Sequence, residues 1–329
     1  MTKSLKEYQV LVSLVKAEVE KRVFGMDDVL ETILIGLFAP QGHTILQGVP
    51  GTAKTRLLKA LAETVDVPFE RIQMTVDLLP ADIIGQEVYD PSTRTMGFRN
   101  GPLLQAGILL ADELNRATPK TKSATLEAMA ERQVTLTVHT EDGSSERTIP
   151  LPEVFTVFAT QNPLEQMGTY PLAEAERDRF LMKKIVNYVS EEDEIRIASL
   201  PSFDEPLRKI LTEEDILEIR SLIWKEIYID ENLIKKMVQM VRMTRPDEFS
   251  QAAEVLKIGA SPRASQALVR ATKVLAFLRG REFVSPRDVM DLAYSIFCHR
   301  VIFKSQQKEK WDEDLRNLLH GIYADVFGG

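Results

Sequence analysis

Apolar residues at Leu5, Tyr8, Val12, Val15 and Val19 recur at helical spacing, which predicts a helix opening the chain and ending near "VFG" at 23–25. Val29, Ile33 and Leu37 mark one face of a second helix, with Asp27 or Asp28 as its cap. The period then changes. "HTILQ", "FERIQM", "GILLA", "VFTVFAT" and "KIVNYV" are short apolar runs, mostly β-branched or aromatic, as in strands buried on both faces. Helical patterns separate them. One carries Leu57, Leu58, Leu61 and Val65; another runs from Pro119 to Arg132 with Thr118 as its cap. Strands alternating with helices predict an α/β fold with a parallel sheet flanked by helices. Two further stretches read as hairpins, "EVYDPSTRTMGF" turning around Pro91 and "QVTLTVHTEDGSSERTI" turning at Asp142-Gly143.

Past about Tyr188 only helical patterns remain. Ser190 can cap a helix at "EEDEIRIA", and others follow over 213–227, 230–244, 262–279, 286–303 and 311–327. Pro201, Pro206, Pro246, Pro262 and Pro286 punctuate them. The expected division is a sheet-containing domain with two inserted β-hairpins, 1–189, and a smaller all-α domain, 190–329. The length agrees, since 329 residues exceed what one core usually organises. The net charge of -8 argues against a protein that coats nucleic acid, which needs a basic face. Cys298 is the single cysteine, so no disulfide forms within the chain, which fits a reducing compartment. Lys16, Glu18 and Glu20 interrupt the first apolar stretch, and "ILIGLFAP" is far short of a bilayer span. Neither a signal peptide nor membrane insertion is expected, and the cytoplasm is the expected location.

The candidate chemistry begins at the loop Gly48, Val49, Pro50, Gly51, Thr52, Ala53, which leads from a strand into a helix through Lys54 and Thr55. A phosphate-binding loop has the form G-x-x-x-x-G-K-[ST], and Gly48, Lys54 and Thr55 fit it. Lys54 supplies a charge for phosphate oxygens, Thr55 a hydroxyl for Mg²⁺, and the helix its positive end. Ala53 stands where glycine is usual; it is tolerable there if the position has right-handed helical φ/ψ. "ILLADELNRA" ends a strand in two carboxylates at the sheet edge where ligands of open α/β folds bind. Asp112 would hold the Mg²⁺ shell and Glu113 would polarise the attacking water. Asn162 in "FATQNP" ends a third strand and could orient water, although Asn-Pro is also an ordinary turn. Arg177 and Arg179 in "AERDRF" could reach a neighbour's phosphate or simply pair with Glu176 and Asp178. "SPR" occurs twice, at 261–263 and 285–287, and composition does not choose between Arg263 and Arg287.

Taken together these stretches resemble the AAA+ ATPases, and within them the MoxR family. "GVPGTAKT" resembles that family's Walker A, where alanine commonly replaces the last glycine. "LLADELNRATPKTKSATLEAMAERQVTL" resembles its Walker B and following helix, "FATQNPLEQMGTYPLAEAERDRFLMK" its sensor 1 and arginine finger, and "GASPRASQALVRA" its sensor 2. The likeness runs from "VFGMDD" through the helical lid and is weakest in the last thirty or so residues. It implies an AAA+ P-loop NTPase core with ATP and Mg²⁺ held by Lys54, Thr55, Asp112 and Glu113. Asn162 becomes sensor 1, Arg263 sensor 2 and Arg179 the arginine finger, with Arg177 a second candidate. It implies a homo-oligomeric ring, usually a hexamer, in which hydrolysis changes the lid angle. It also implies chaperone-like maturation of, or metal insertion into, a client protein, often with a von Willebrand factor A domain partner. The two hairpins fall where magnesium chelatases and replicative helicases carry theirs. The competing readings are a chelatase- or helicase-like motor subunit and a nucleotide-gated scaffold with little turnover. An intact Glu113 argues against the scaffold, and the acidic balance against the helicase.

Overall fold

A computed structural model describes residues 3–49, 51–92, 95–140, 143–163, 168–199 and 206–328. Helix α1 (Leu5–Glu20) opens on a reciprocal cap, in which the Ser4 hydroxyl accepts from the Glu7 amide and the Glu7 carboxylate accepts from the Ser4 amide. Helix α2 (Asp27–Phe38) begins one residue earlier than a cap at Asp27 requires and two earlier than a cap at Asp28 requires. Met26 takes the cap position, and both aspartates sit in the first turn, where their charge still faces the positive helix end. Strand β1 (Thr44–Gln47) then leads through the glycine loop into α3 (Lys54–Thr64), and β2 (Phe69–Gln73) follows. Short α4 (Pro80–Ile84), the hairpin β3 (Gly85–Asp90) with β4 (Thr95–Asn100), and short α5 (Pro102–Gln105) lead to β5 (Ile108–Asp112). Helix α6 (Pro119–Glu131) is capped by Thr118. It runs into the second hairpin, β6 (Gln133–Thr140) with β7 (Gly143–Pro150). The expected turn residue Asp142 lies outside the described residues, whereas Pro91 sits in the turn of the first hairpin. Strand β8 (Thr156–Gln161), short α7 (Glu174–Arg177) and β9 (Met182–Ile185) complete the sheet.

The five strands are all parallel in the order β2-β5-β8-β1-β9. Their carboxyl ends therefore share one edge. Strand β9 lies earlier than the "KIVNYV" run suggests: Met182–Ile185 pair with β1 and the chain has left the sheet by Tyr188. An edge strand needs only one well-buried face, so two lysines in it weaken the apolar signal.

Helix α8 (Glu191–Ala198), capped by Ser190, opens the helical region. Then come α9 (Glu213–Glu226), α10 (Glu231–Arg242), α11 (Ser250–Val255), strand β10 (Leu256–Ile258), α12 (Pro262–Leu278), α13 (Pro286–Phe297), strand β11 (Ile302–Phe303) and α14 (Lys308–Phe327). The region is thus not purely helical. The pattern read as a helix over 286–303 stops at Phe297, and the chain turns to pair β11 antiparallel with β10. Two- and three-residue strands are too short to show a period.

The core is continuous between the N-terminal helices and the later ones. Val12, Val15, Ile33 and Phe38 share one apolar cluster with Ile219, Leu268, Phe277 and Phe297. Phe38 meets Phe277 edge-on, ring centroids 6.0 Å apart. A second cluster under the hairpins gathers Leu109, Phe155, Leu126 and Phe180 on the other face.

His43 fastens the start of the sheet. It is 2% exposed; its Nδ1 accepts from the Val157 amide at 3.0 Å and its Nε2 lies 3.3 Å from the Met129 carbonyl. Because Nδ1 must accept, the hydrogen belongs on Nε2, where it donates to that carbonyl. Burial pushes the imidazole down to about 4, so the ring stays neutral.

At the β1–α3 junction Ala53 has φ 53° and ψ 15°, the left-handed region rather than the right-handed helical one. The loop must reverse its hand there to enter α3, and an L-residue with a Cβ carries a cost of roughly 1 kcal/mol in that region. The methyl is offset in part by packing against the core cluster.

Two predictions follow from these positions. A neutral buried histidine with a depressed folded pKa loses stability as pH falls, because the unfolded chain takes up the proton first. Between the unfolded value of 6.5 and the folded value of about 4, His43 removes stability on the order of 3 kcal/mol. His299, held well below its ordinary value by burial, acts in the same direction. Urea unfolding across that window should show a shallower loss in His43→Gln; an unchanged slope would remove the histidine from the account. Ala53→Gly should raise the unfolding free energy by up to about 1 kcal/mol, since glycine accepts the positive φ. A drop in the thermal midpoint would mean that the methyl's packing outweighs the strain.

Candidate active site

The site grows from the carboxyl ends of β1, β5 and β8. Gly48 follows β1 and donates its amide to the Gln161 carbonyl at 3.1 Å. A Cβ there would lie 2.5 Å from the Val186 carbonyl oxygen, so contact with the segment after β9 demands glycine. Gly51 has open space around it but φ +83°, so conformation demands glycine instead. Pro50, expected in the same loop, lies outside the described residues. Lys54 folds back onto the loop: its Nζ donates to the carbonyls of Gly48 (3.0 Å) and Val49 (2.8 Å) and to the Thr52 hydroxyl (3.0 Å). Burial lowers its pKa and the nearby Asp112 opposes that shift.

The acidic side is set by β5 and its two neighbours. Asp112 Oδ1 accepts from the Thr160 hydroxyl at 2.5 Å, and Oδ2 accepts from Arg71 Nε at 3.1 Å and Nη2 at 2.6 Å. The same Thr160 oxygen accepts from the Glu113 amide at 2.8 Å. Glu113 has φ 57°, a left-handed conformation that turns its side chain off the strand line. Its Oε2 accepts from Gln73 Nε2 at 3.0 Å and pairs with Arg116 at 3.1 Å. Asn162, 9% exposed, follows β8. Lys54, Thr55, Asp112, Glu113 and Asn162 all line one cleft of about 410 Å³, with Gly48, Gly51, Thr52 and Ala53 as its floor.

Five polar residues in this cleft were given no role by the sequence: Arg56, Arg71, Gln73, Thr160 and Gln161. Arg71 and Gln73 alternate along β2 and so share a face, the one cue the sequence offers. Next to the cleft, and sharing Gly51, Thr52, Ala53 and Arg56 with it, lies an apolar pocket of about 250 Å³. Val23, Phe24, Tyr188, Val189 and Ile197 line it. It brings the turn after α1 and helix α8 against the glycine loop, and it suits a flat heterocycle attached to a phosphate chain.

Arg179 and Arg263 are elsewhere. Both line a separate cavity of about 220 Å³ with Gln266, Arg270 and Arg300. Arg179 is exposed and its Nη1 donates to the Leu126 carbonyl at 2.6 Å. Arg263 lies 3.8 Å from Asp178. Arg177 is half-buried, with its Nε unpartnered among the described residues. Arg287 pairs with Asp291 at 2.9 Å on an exposed helix face. The structure thus assembles the lysine, hydroxyl, carboxylates and amide in one cleft, and sets the two arginines together in another.

Among the described residues no helix is long and apolar enough to cross a membrane. Residues 43–182 match the profile of the ATPase family associated with various cellular activities (AAA), and residues 248–318 match the AAA lid domain. The chain is 39% identical over 289 residues to Chaperone MoxR1 of Mycobacterium tuberculosis, covering 87% of this chain and 74% of that one. Protein MoxR of Paracoccus denitrificans is 29% identical over 323 residues, with 92% of each chain covered. A crystal structure of a candidate ATPase from Cytophaga hutchinsonii superposes with a TM-score of 0.84 at 39% identity, over 96% of this chain and 94% of that one. The parallel sheet, the helical lid and these likenesses agree: the chain belongs to the MoxR family of AAA+ ATPases.

Proposed function

We propose that this chain hydrolyses ATP with Mg²⁺ in the cleft between the glycine loop and Asp112-Glu113. In this reading it works as a cytoplasmic homo-oligomeric ring, a hexamer, that remodels a client protein. The observation that carries the reading is the convergence of Lys54, Thr55, Asp112, Glu113 and Asn162 in one cleft beside an apolar pocket. The donor set suits the ligands. Loop amides, a lysine and a helix start favour phosphate, and a hydroxyl with a carboxylate favours a hard divalent cation. Mg²⁺ held by Thr55 and Asp112 would neutralise charge on the transferring phosphoryl group.

The chain's own residues supply the rest. Lys54 exchanges the Gly48 and Val49 carbonyls for phosphate oxygens. Asp112, held by Arg71, would turn with Thr55 to hold the Mg²⁺. Glu113, freed from Gln73 and Arg116, polarises water, and Asn162 orients it. Arg179 and Arg263 line a cavity apart from their own phosphate loop, so they serve the site of a neighbouring copy. Arg179 is the finger in this reading and Arg177 the alternative. Remodelling of a client rests on the resemblance and on the chaperone name of the mycobacterial relative; metal insertion and a von Willebrand factor A domain partner rest on the resemblance alone. The two hairpins are the parts that would reach the client. A second reading, nucleotide-gated assembly with little turnover, draws on the contacts that tie Glu113 to Gln73 and Arg116.

MgATP hydrolysis per protomer should rise with protein concentration and disappear in Glu113→Gln; a rate independent of concentration would reject a shared site. Arg179→Ala should leave ATP binding nearly intact and slow hydrolysis by roughly a thousandfold or more. If Arg177→Ala has that effect instead, the finger is Arg177. Lys54→Ala should abolish ATP binding, and retained affinity in equilibrium dialysis would sink the phosphate-loop assignment.

A further inference from the structure

Asp178 stands between the two arginines of "RDR", and its carboxylate is used up by the helical region. Oδ1 accepts from Arg300 Nε at 3.0 Å. Oδ2 accepts from the Ser261 hydroxyl at 2.8 Å and lies 3.8 Å from Arg263 Nη1. Ser261 is also the cap of α12, accepting from the Arg263 amide at 3.1 Å. One carboxylate therefore joins the residue before Arg179 to the first turn of the helix that carries Arg263.

Arg300 holds the other side of this joint. Its side chain is 2% exposed. Besides Asp178 it donates to the carbonyls of Leu181 at 3.1 Å, Ile296 at 2.5 Å and Phe180. Two of those carbonyls follow Arg179 directly in the chain and the third belongs to α13. A buried guanidinium needs every donor satisfied, and here the donors are spread over the arginine segment and a lid helix. Lysine cannot copy this, because it offers a point charge in place of a planar fork.

We infer that Arg300 and Asp178 are positioning residues that set the direction in which Arg179 leaves the protomer, so that the lid helices aim the arginine supplied to a neighbour. This rests on the reading of Arg179 as a finger acting on the next copy's site. An arginine meeting a transferring phosphoryl group must be placed to within about an ångström, so a loosened segment costs rate rather than affinity. The phosphate loop of the same protomer lines the other cleft, and neither Asp178 nor Arg300 lines that one.

Mixing protomers tests this. Arg300→Lys alone should lower kcat by about tenfold or more, with KM for MgATP and ATP affinity within about twofold of wild type. Its own cleft remains sound, so mixing it with Glu113→Gln, which has a dead cleft and an intact Arg179, should restore hydrolysis well above either alone. Ser261→Ala, which cuts the second arm and spares the buried ion pair, should lower kcat in the same way by a smaller factor; it stands in if Arg300→Lys fails to fold. Restoration in a parallel mixture of Arg179→Ala with Glu113→Gln, but none with Arg300→Lys or Ser261→Ala, would overturn the positioning role while keeping the finger. A rise in KM, or unchanged kcat, in the Arg300 and Ser261 variants would overturn it as well. No restoration in the Arg179→Ala mixture would instead bring down the shared-site reading beneath it.

Discussion

The parallel register of β5, β8 and β1 is the constraint on which the site depends. Ala111 pairs with Ala159, and Leu46 and Gln47 with Thr160 and Gln161. That register brings the Thr160 hydroxyl to Asp112 Oδ1 and to the Glu113 amide at once. A slip of one residue would turn Thr160 to the other face and leave both groups without their shared partner. The slip is resisted by packing: Ile108, Leu110 and Phe158 are buried in one core cluster and Leu109, Val157 and Ala159 in the other. His43 adds a directional contact, since its two nitrogens join the entry of β1 to the second residue of β8 and to the end of α6. The apolar core thus holds a polar edge in register without supplying any of its chemistry.

The helical region is attached to this sheet by cations as well as by oil. Arg220 on α9 donates to the Leu37 carbonyl at 3.0 and 2.7 Å, closing the end of α2. Arg300 closes the start of β9. Burial lowers both guanidinium groups to about 10, yet each remains far above neutrality and keeps its charge. A swing of the whole lid would have to uncover these charges and open a core shared by α1, α2, α9 and α12. Removing a partner from a buried ion costs several kcal/mol by itself. Helix α8 is held differently: it meets the glycine loop in an apolar pocket and carries no buried residue of its own.

What was legible in the sequence was whatever is local. The phosphate loop, Asp112-Glu113, Asn162, the alternation of strands and helices, both hairpins and the caps at Thr118 and Ser190 are each written in a short window. Arg71, Gln73 and Thr160 were not legible, because they meet Asp112 and Glu113 only through pairing of strands far apart in the chain. The pocket lined by Phe24 and Tyr188 joins residues more than a hundred apart, and neither stands in a pattern. Ala53 was misread for a different reason: residue preference favoured the right-handed region, and the turn into α3 overrode it. The helical spacing across 286–303 hid β11, since Val301 keeps the period although α13 has ended at Phe297.

Charge balance in the cleft sets what an entering ligand must displace. Both carboxylates are already answered, Asp112 by Arg71 and Thr160, Glu113 by Gln73 and Arg116. Lys54 is answered by three oxygens of its own loop. Each of these three side chains already has its partners, so a ligand entering the cleft has to displace those contacts. On a phosphate the Lys54 ammonium would meet a full negative charge in place of carbonyl dipoles, which favours the exchange there. Releasing Glu113 gains no such compensation from phosphate, because a carboxylate is repelled by it. The contacts with Gln73 and Arg116 are therefore the ones that hold Glu113 back.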